Sequence, residues 1–309
     1  MRTVFMGTPD FSVPVLAALA ESGCTVAAVV TQPDRPKGRG KGVAMSPVKE
    51  KALEYGIPVL QPRKVRDPAF VEELRSCEPD VCVVAAFGQI LSREVLAVPR
   101  YGCINVHASL LPRYRGASPI QQVILDGETE TGVTTMMMDE GLDTGDILLQ
   151  KVIPIAPDET GGSLFDKLSE AGGPLLIETL RRLEAGTLIR TPQSGETCYA
   201  GMIRKSMGEI CWSRPAAELE RLVRGMDPWP SAYTKLNGKT LKIWRAEVDP
   251  VHADGEPGTV AWVKKDALAI VTGEGTLILR ELQLEGKKRM PADAFLRGYP
   301  VQPGTRLGS

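Results

Sequence analysis

This 309-residue sequence has only two histidines, and its cysteines follow no recognisable pattern. The six cysteines show no C-x-x-C spacing, which indicates neither a zinc site nor a disulfide framework. The most apolar run, at residues 81–87, is far too short to cross a bilayer, and no signal-peptide core forms before Asp10. We therefore expect a cytoplasmic protein with reduced cysteines.

Three common ligand-binding signatures are also absent. The turn after the first predicted strand, G-T-P-D-F-S, lacks the G-x-G-x-x-G spacing of dinucleotide binding, which argues against NAD. The G-x-x-x-x-G-K-[ST] pattern of a P-loop is absent, since Lys41 is followed by Gly42. The turn D-E-G-L-D-T-G-D does not follow the D-x-[DN]-x-[DN]-G pattern of a calcium loop.

What is present is the composition of an ordinary globular protein, with 43% hydrophobic and 24% charged residues, and a length that allows two domains. In the first part, short apolar runs predict strands at 3–7, 26–32, 57–61, 81–87 and 103–109. Helical patterns lie between them at 11–22, 46–55 and 67–77. This alternation is typical of parallel βαβ units.

The apolar runs V-A-A-V-V and V-C-V-V-A-A-F lack polar alternation, as expected of strands covered by helices on both faces. We therefore predict an α/β domain with a doubly wound, mostly parallel, Rossmann-like sheet. Ligands of such sheets lie beyond the carboxyl ends of the strands. Asn105 and His107 lie near one such end, and Phe87 and Gly88 near another.

The rest of the chain changes in character. Patterns predict a helix at 118–125, a strand at 132–138 and a long amphipathic helix at 160–184, followed by a polar, irregular stretch. Ser213 is then expected to cap a helix at 214–225. Short strands follow at 232–236, 240–248, 258–263, 267–272 and 276–284, with an Asn237-Gly238 hairpin turn, and predict a small OB-like β-barrel. We expect a catalytic domain at 1–189, a linker at 190–206 and the barrel domain at 207–309.

Charge is unevenly distributed along the chain. Residues 1–200 carry 20 Lys and Arg against 25 Asp and Glu, and residues 201–309 carry 17 against 13. A basic second half suits a module that contacts a polyanion, although solvated faces also vary by this much.

Residues 33–42, P-D-R-P-K-G-R-G-K-G, form what we call the basic loop. Its glycines and prolines predict neither helix nor strand. It could be ordinary solvated surface, or it could order on a phosphate backbone. On the second interpretation, the residues that contact nucleic acid are Arg35, Lys37, Arg39 and Lys41.

The strongest chemical signal lies in residues 103–116, C-I-N-V-H-A-S-L-L-P-R-Y-R-G. Asn105 and His107 are two positions apart on a predicted strand, so their side chains share a face. A carboxamide can donate to a developing oxyanion while an imidazole moves a proton. A lone strand histidine is also commonly a hydrogen-bonded core residue, and the pattern by itself leaves both interpretations open.

Asp143 is the third candidate, because glycines flank it on a tight turn. A placed carboxylate is the interpretation that we favour. A divalent metal held by Asn105, His107 and Asp143 fits less well, since asparagine is a poor ligand and no second histidine is near in sequence. We therefore expect no catalytic metal.

The motifs N-V-H (105–107), S-L-L-P (109–112), Y-R-G (114–116) and G-L-D-T-G-D (141–146) together resemble the folate-dependent formyltransferases. The early F-M-G-T-P-D-F, the basic loop and the predicted barrel extend the resemblance over nearly the whole chain. It implies transfer of a formyl group from 10-formyltetrahydrofolate to an amine. The basic loop and barrel point to an acceptor on tRNA, namely the methionine esterified to initiator tRNA, at translation initiation.

By this resemblance, Asn105, His107 and Asp143 are the catalytic residues. Asn105 would donate to the tetrahedral oxyanion, His107 would donate or relay protons, and Asp143 would hold the histidine and an ordered water. The folate would lie against Phe87, Gly88, Gln89, Ile90 and Leu91 and against Ser109, Leu110, Leu111 and Pro112. Whether the Leu111-Pro112 bond is cis stays open at this point.

Two alternative functions remain. A sugar-nucleotide formyltransferase would use the same three residues but would leave the basic loop unexplained. A non-enzymatic RNA-binding module would explain the basic loop and barrel but would make the three residues coincidental. On the formyltransferase interpretation, we expect a monomeric protein that does not bind a membrane.

Overall fold

Two compact units make up the chain, and the computed structural model describes residues 1–36 and 43–308. The first unit comprises residues 1–119, 130–154 and 165–200. The second comprises residues 120–129, 155–164 and 201–309.

Strands and helices alternate through the first 200 residues. In chain order the elements are β1 (Arg2–Gly7), α1 (Val13–Glu21), β2 (Thr25–Val30), β3 (Arg35–Pro36), β4 (Val43–Ala44), α2 (Pro47–Glu54), β5 (Val59–Leu60), α3 (Pro68–Ser76), β6 (Val81–Ala85), α4 (Arg93–Leu96), β7 (Cys103–His107), β8 (Arg115–Gly116), α5 (Pro119–Leu125), β9 (Glu130–Met137), β10 (Ile147–Pro154), α6 (Gly161–Glu184) and β11 (Tyr199–Ala200).

The main sheet of the first unit has the order β10-β9-β7-β6-β1-β2-β5. Strands β7, β6, β1, β2 and β5 pair in parallel, whereas β9 is antiparallel to both β7 and β10. The chain leaves β1 toward β2 and later returns to the other side of β1 as β6, so strand order reverses there. This is the predicted doubly wound sheet, and ligands bind beyond the carboxyl ends of such strands.

Helix α6 packs closely on one face of this sheet. A Cβ added to Gly172 would lie 3.1 Å from Val106 Cγ1, and one added to Gly173 would lie 2.7 Å from Ala18 Cβ in α1. The small residues therefore let the helix approach both the sheet and α1. Because side chains alternate along β7, Asn105 and His107 point away from the face that Val106 presents to α6.

Antiparallel strands dominate the second unit. Its elements after residue 200 are α7 (Ala216–Gly225), β12 (Ala232–Leu236), β13 (Lys239–Asp249), β14 (Val260–Lys264), β15 (Ala267–Val271), β16 (Thr276–Leu284), β17 (Met290–Pro291) and α8 (Ala292–Gly298).

The second unit folds as the expected small barrel. Its strands pair in the order β12-β13-β16-β15-β14, with β17 added to β16. Residues 305–308 then connect the two edge strands, β14 and β12. The Val260 N–H of β14 donates to the Thr305 carbonyl, and the Gly308 N–H donates to the Lys235 carbonyl of β12. The apolar face of α7, including Leu219 and Val223, belongs to the core of this unit.

Two local predictions were wrong. Ser213 does not cap α7: the helix begins at Ala216 after Pro215, and the Ser213 hydroxyl lies 3.2 Å from Cys211 Sγ. The physical reason is that a residue preceding proline, here Arg214, is disfavoured in helical conformation.

The basic loop was predicted to contain no strand, yet its start forms β3, which pairs antiparallel with β4. Strand β10 and helices α4 and α8 were not predicted.

Candidate active site

His107 is the last residue of β7, and its two ring nitrogens face different partners. Nε2 lies 2.9 Å from the Tyr114 carbonyl oxygen, and Nδ1 lies 3.8 Å from Asp143 Oδ2. A carbonyl oxygen only accepts, so Nε2 must carry a hydrogen. Nδ1 is consequently the nitrogen that can exchange a proton, and it is the one that faces the carboxylate.

Asn105 lies two residues before His107 on the same face of β7. Its backbone is held between Val84 of β6 and Met136 of β9, and the residue is 9% exposed. Its side chain nevertheless forms no hydrogen bond with any residue of the ranges 1–36 and 43–308. A nearly buried carboxamide without a partner in these ranges is available to donate to a ligand oxygen.

Asp143 is presented by a strained turn. Its φ is +53°, which is uncommon for a residue other than glycine, and its Oδ2 accepts a 2.8 Å hydrogen bond from the Gly116 N–H. The base of the turn is closed by Asp139, whose Oδ1 accepts from the Gly141 N–H at 3.0 Å and the Thr144 hydroxyl at 2.7 Å. The turn thus holds the carboxylate beside His107.

Gln193 also holds this turn, and its role was not predicted from the sequence. Its Nε2 donates to the carbonyls of Asp143 at 2.8 Å and Gly145 at 2.7 Å. Its Oε1 accepts from Arg115 Nη2 at 2.7 Å and Nε at 3.1 Å. A single glutamine in a polar, irregular stretch carries no sequence signal for such a role.

The S-L-L-P segment forms a tight turn after β7. Ser109 is fully buried, and its hydroxyl donates to the Arg113 carbonyl at 2.8 Å. The buried hydroxyl of Thr134 donates to the Ser109 carbonyl at 2.6 Å and accepts from the Leu111 N–H at 3.2 Å. The Leu111-Pro112 bond, left open by the sequence, is cis. Leu110 and Pro112 remain half-buried, so they are the members of this turn that a ligand can reach.

The segment after β6 alternates between exposed residues and buried side chains. Phe87 and Leu91 belong to the core, whereas Gly88 is exposed and Ile90 is 84% exposed. The Phe87 carbonyl accepts from the Thr8 hydroxyl at 3.1 Å. Gln89 Oε1 accepts from the Val65 N–H at 3.0 Å, while Gln89 Nε2 is buried without a partner in the described part of the chain. Contact with a ligand would therefore come from residues 88–90 rather than from the buried side chains of Phe87 and Leu91.

The basic loop starts from a hydrogen-bonded anchor. Lys49 Nζ lies 2.5 Å from Asp34 Oδ2 and 2.8 Å from Gln61 Oε1, and Gln61 Nε2 donates to Asp34 Oδ1 at 2.7 Å. The hydrogen bonds from Lys49 and Gln61 lower the pKa of the Asp34 carboxyl. Arg35 is exposed directly after this anchor. The other three residues predicted to contact nucleic acid lie outside the described residues: Lys37, Arg39 and Lys41.

Among residues 1–36 and 43–308, no three His, Cys, Asp or Glu side chains are grouped so that they could hold a metal ion. The same part of the chain contains no helix that is long and apolar enough to span a membrane.

The sequence matches the formyl transferase family over residues 1–180 and the C-terminal domain of formyl transferases over residues 202–300. The chain belongs to the formyl transferase family, and it is a formyl-transferring enzyme, as its motifs predicted. Among its relatives are methionyl-tRNA formyltransferases along its whole length. The one from Agathobacter rectalis is 56% identical over 306 residues, 99% of each chain. The one from Geobacter sulfurreducens is 53% identical over 309 residues, 100% of this chain and 97% of the other.

Solved structures share the fold at low sequence identity. An N-formyltransferase from Helicobacter canadensis, in complex with folinic acid and dTDP-3-aminofucose, is 18% identical with a TM-score of 0.66, covering 93% of this chain and 99% of the other. HypX from Aquifex aeolicus in complex with tetrahydrofolic acid is 19% identical with a TM-score of 0.63, covering 96% and 47%. The predicted fold class is confirmed.

Proposed function

We propose that this enzyme transfers the formyl group of 10-formyltetrahydrofolate to the α-amino group of initiator methionyl-tRNA, giving N-formylmethionyl-tRNA for translation initiation. The observation that carries the proposal is the identity of more than half of all residues, over essentially the whole chain, with methionyl-tRNA formyltransferases. The site at the end of β7 supports it, because it contains a hydrogen-bond donor for an oxyanion and a group that can accept a proton. The donor is the Asn105 carboxamide, and the proton acceptor is His107 beside Asp143.

Formyl transfer begins when the amine attacks the formyl carbon, so that a C–N bond forms and the carbonyl oxygen becomes an oxyanion. We assign the stabilisation of this oxyanion to Asn105, whose N–H groups have no partner within the described ranges. Removing one such donor in other enzymes lowers the rate by about 10²–10³-fold.

The attacking amine must also lose a proton. We assign this transfer to His107 Nδ1, because Nε2 is occupied by the Tyr114 carbonyl. Asp143 would stabilise the imidazolium that results, from its position 3.8 Å away. When the tetrahedral intermediate collapses, the bond to the folate nitrogen breaks, and that nitrogen takes up the proton that His107 Nδ1 received from the amine.

For the donor, we propose that the folate lies against residues 88–90 and against Leu110 and Pro112 of the turn after β7. Flat, mostly apolar sites with a few polar anchors suit such a ring system. The remaining predicted folate residues are buried and would shape these two segments without touching the folate through their side chains: Phe87, Leu91, Ser109 and Leu111.

For the acceptor, we propose that the basic loop and the barrel contact tRNA. The domains would be a catalytic domain at 1–189, a connecting segment at 190–206 and a tRNA-binding barrel domain at 207–309. The exposed Arg35 and the basic excess after residue 200 support phosphate contacts. We further propose that the enzyme works as a monomer in the cytoplasm.

The direct test is incubation of the purified protein with 10-formyltetrahydrofolate and charged initiator tRNA, with formylmethionine scored on the product. We expect formylation by the wild-type chain and about 10²-fold less by Asn105→Ala. A parallel reaction with dTDP-3-aminofucose as acceptor should give no formyl sugar. Formylation of the sugar without formylation of the tRNA would overturn the proposed acceptor.

A further inference from the structure

Gln193 makes four hydrogen bonds, which use the full capacity of its side chain. Both Nε2 hydrogens go to backbone carbonyls, those of Asp143 and Gly145, and both Oε1 lone pairs accept from the Arg115 guanidinium. The orientation of the amide is unambiguous, since carbonyls only accept and guanidinium only donates. Such a side chain has one stable position, although it comes from a segment 50 residues beyond the turn that it holds.

The carbonyls that Gln193 engages belong to a turn with few other ways to satisfy them. Asp143 has a positive φ, and a Cβ on Gly145 would lie 1.8 Å from the Met137 carbonyl oxygen. The turn also lies between the end of β9 and the start of β10, outside any regular strand or helix, so its carbonyls need donors from elsewhere. Gln193 supplies one hydrogen bond to the Asp143 carbonyl and one to the Gly145 carbonyl.

The residues around Arg115 connect this turn to the histidine. The Tyr114 carbonyl accepts from His107, the Arg115 side chain holds Gln193, and the Gly116 N–H donates to the Asp143 carboxylate. Three consecutive residues thus fix the imidazole, the carboxylate and, through Gln193, the backbone that carries the carboxylate.

We propose that Gln193 is a positioning residue, which acts together with Arg115 to hold the Asp143 turn so that the carboxylate faces His107 Nδ1. This inference rests on the catalytic role proposed for Asp143. Misplacing a catalytic group by about 1 Å can cost on the order of 10²-fold in rate. A purely structural role for Gln193, in which it only attaches the segment 190–200 to the rest of the first unit, would lower stability without acting through Asp143.

The test is a double-mutant cycle on kcat for formyl transfer. Gln193→Ala should lower kcat by about 10–100-fold, with the donor KM changed less than about 3-fold. In an Asp143→Ala background the same change should lower kcat by less than about 3-fold, because the group that it positions is gone. Gln122→Ala serves as the matched control, since the Gln122 amide donates to the Asp126 carboxylate on the surface of α5, and it should retain wild-type kcat.

Gln193→Glu is the second variant, in case the alanine variant folds poorly. The glutamate is nearly isosteric and strengthens the pairing with Arg115, but it has no hydrogens to donate to the two carbonyls. It should therefore fold and still lose kcat by about 10-fold or more.

An equal kcat loss from Gln193→Ala with and without Asp143, or a wild-type kcat in Gln193→Glu, would overturn the positioning role and leave the proposed function intact. Full activity of Asp143→Ala itself would instead remove the catalytic assignment on which the inference rests.

Discussion

Replacing Gly116 with alanine should damage both folding and catalysis, because there is no room for a side chain at this position. A Cβ would lie 2.6 Å from Tyr199 Cε2 and 2.7 Å from the Ala200 carbonyl oxygen, in the strand that pairs with β8. The φ of Gly116 is +107°, which L-residues rarely adopt. The unfavourable backbone conformation costs about 1–3 kcal/mol and the overlap about 1–3 kcal/mol more. We expect the free energy of unfolding to fall by about 2–6 kcal/mol.

The catalytic loss has a separate cause. The Gly116 N–H donates to Asp143 Oδ2 at 2.8 Å, and relief of the overlap would move this N–H away. A hydrogen bond to a charged group is worth about 1.5–3 kcal/mol, so kcat should fall by about 10–100-fold. Stability is measured by denaturant titration and kcat by formyl transfer at saturating substrates.

Gly195→Ala is the control for this experiment. Gly195 has a φ of +96°, but a Cβ there meets nothing within 4 Å. This variant should show only the backbone cost of about 1–3 kcal/mol and keep its kcat. Equal stability losses in the two variants, together with a wild-type kcat for Gly116→Ala, would refute the reasoning.

Three further predictions concern the proposed mechanism. Asn105→Ala should lower kcat by about 10²-fold while donor binding is kept. The kcat loss of the His107→Ala/Asp143→Ala double variant should be much smaller than the product of the two single losses. Multiplicative losses would argue against a shared proton relay. Prolonged EDTA treatment should leave formyl transfer intact once the magnesium that tRNA needs is restored, and activity that returned only with zinc or manganese would contradict the mechanism. Replacing all four basic residues of the basic loop with serine should weaken tRNA binding and leave the donor KM unchanged. The slope of log K against log salt should flatten by up to roughly 0.7–0.9 for each phosphate that is no longer neutralised. An unchanged slope would identify the loop as ordinary surface.

The architecture and the two candidate residues on β7 could be predicted from the sequence alone. Unbroken apolar runs between helical patterns predicted the doubly wound sheet, and the Asn237-Gly238 turn between strand patterns predicted a hairpin that the structure contains. Period-two alternation placed Asn105 and His107 on one face, because this relation needs only local backbone geometry. Strand β10, I-L-L-Q-K-V-I-P, was not predicted, because its apolar residues are grouped and do not alternate with polar ones.

The surroundings of those two side chains could not be predicted, because they depend on contacts that form only in the folded chain. Asp143 lies 36 residues after His107 in the chain, and its distance from the imidazole depends on the pairing of β7 with β9 and on the turn that follows β9. The role of Gln193 is even harder to predict from the sequence, because it depends on a polar segment that returns to the first unit and ends in β11, the strand that pairs with β8. Hydrogen bonds between residues far apart in sequence leave no periodic pattern, since each needs only one donor and one acceptor brought together by the fold.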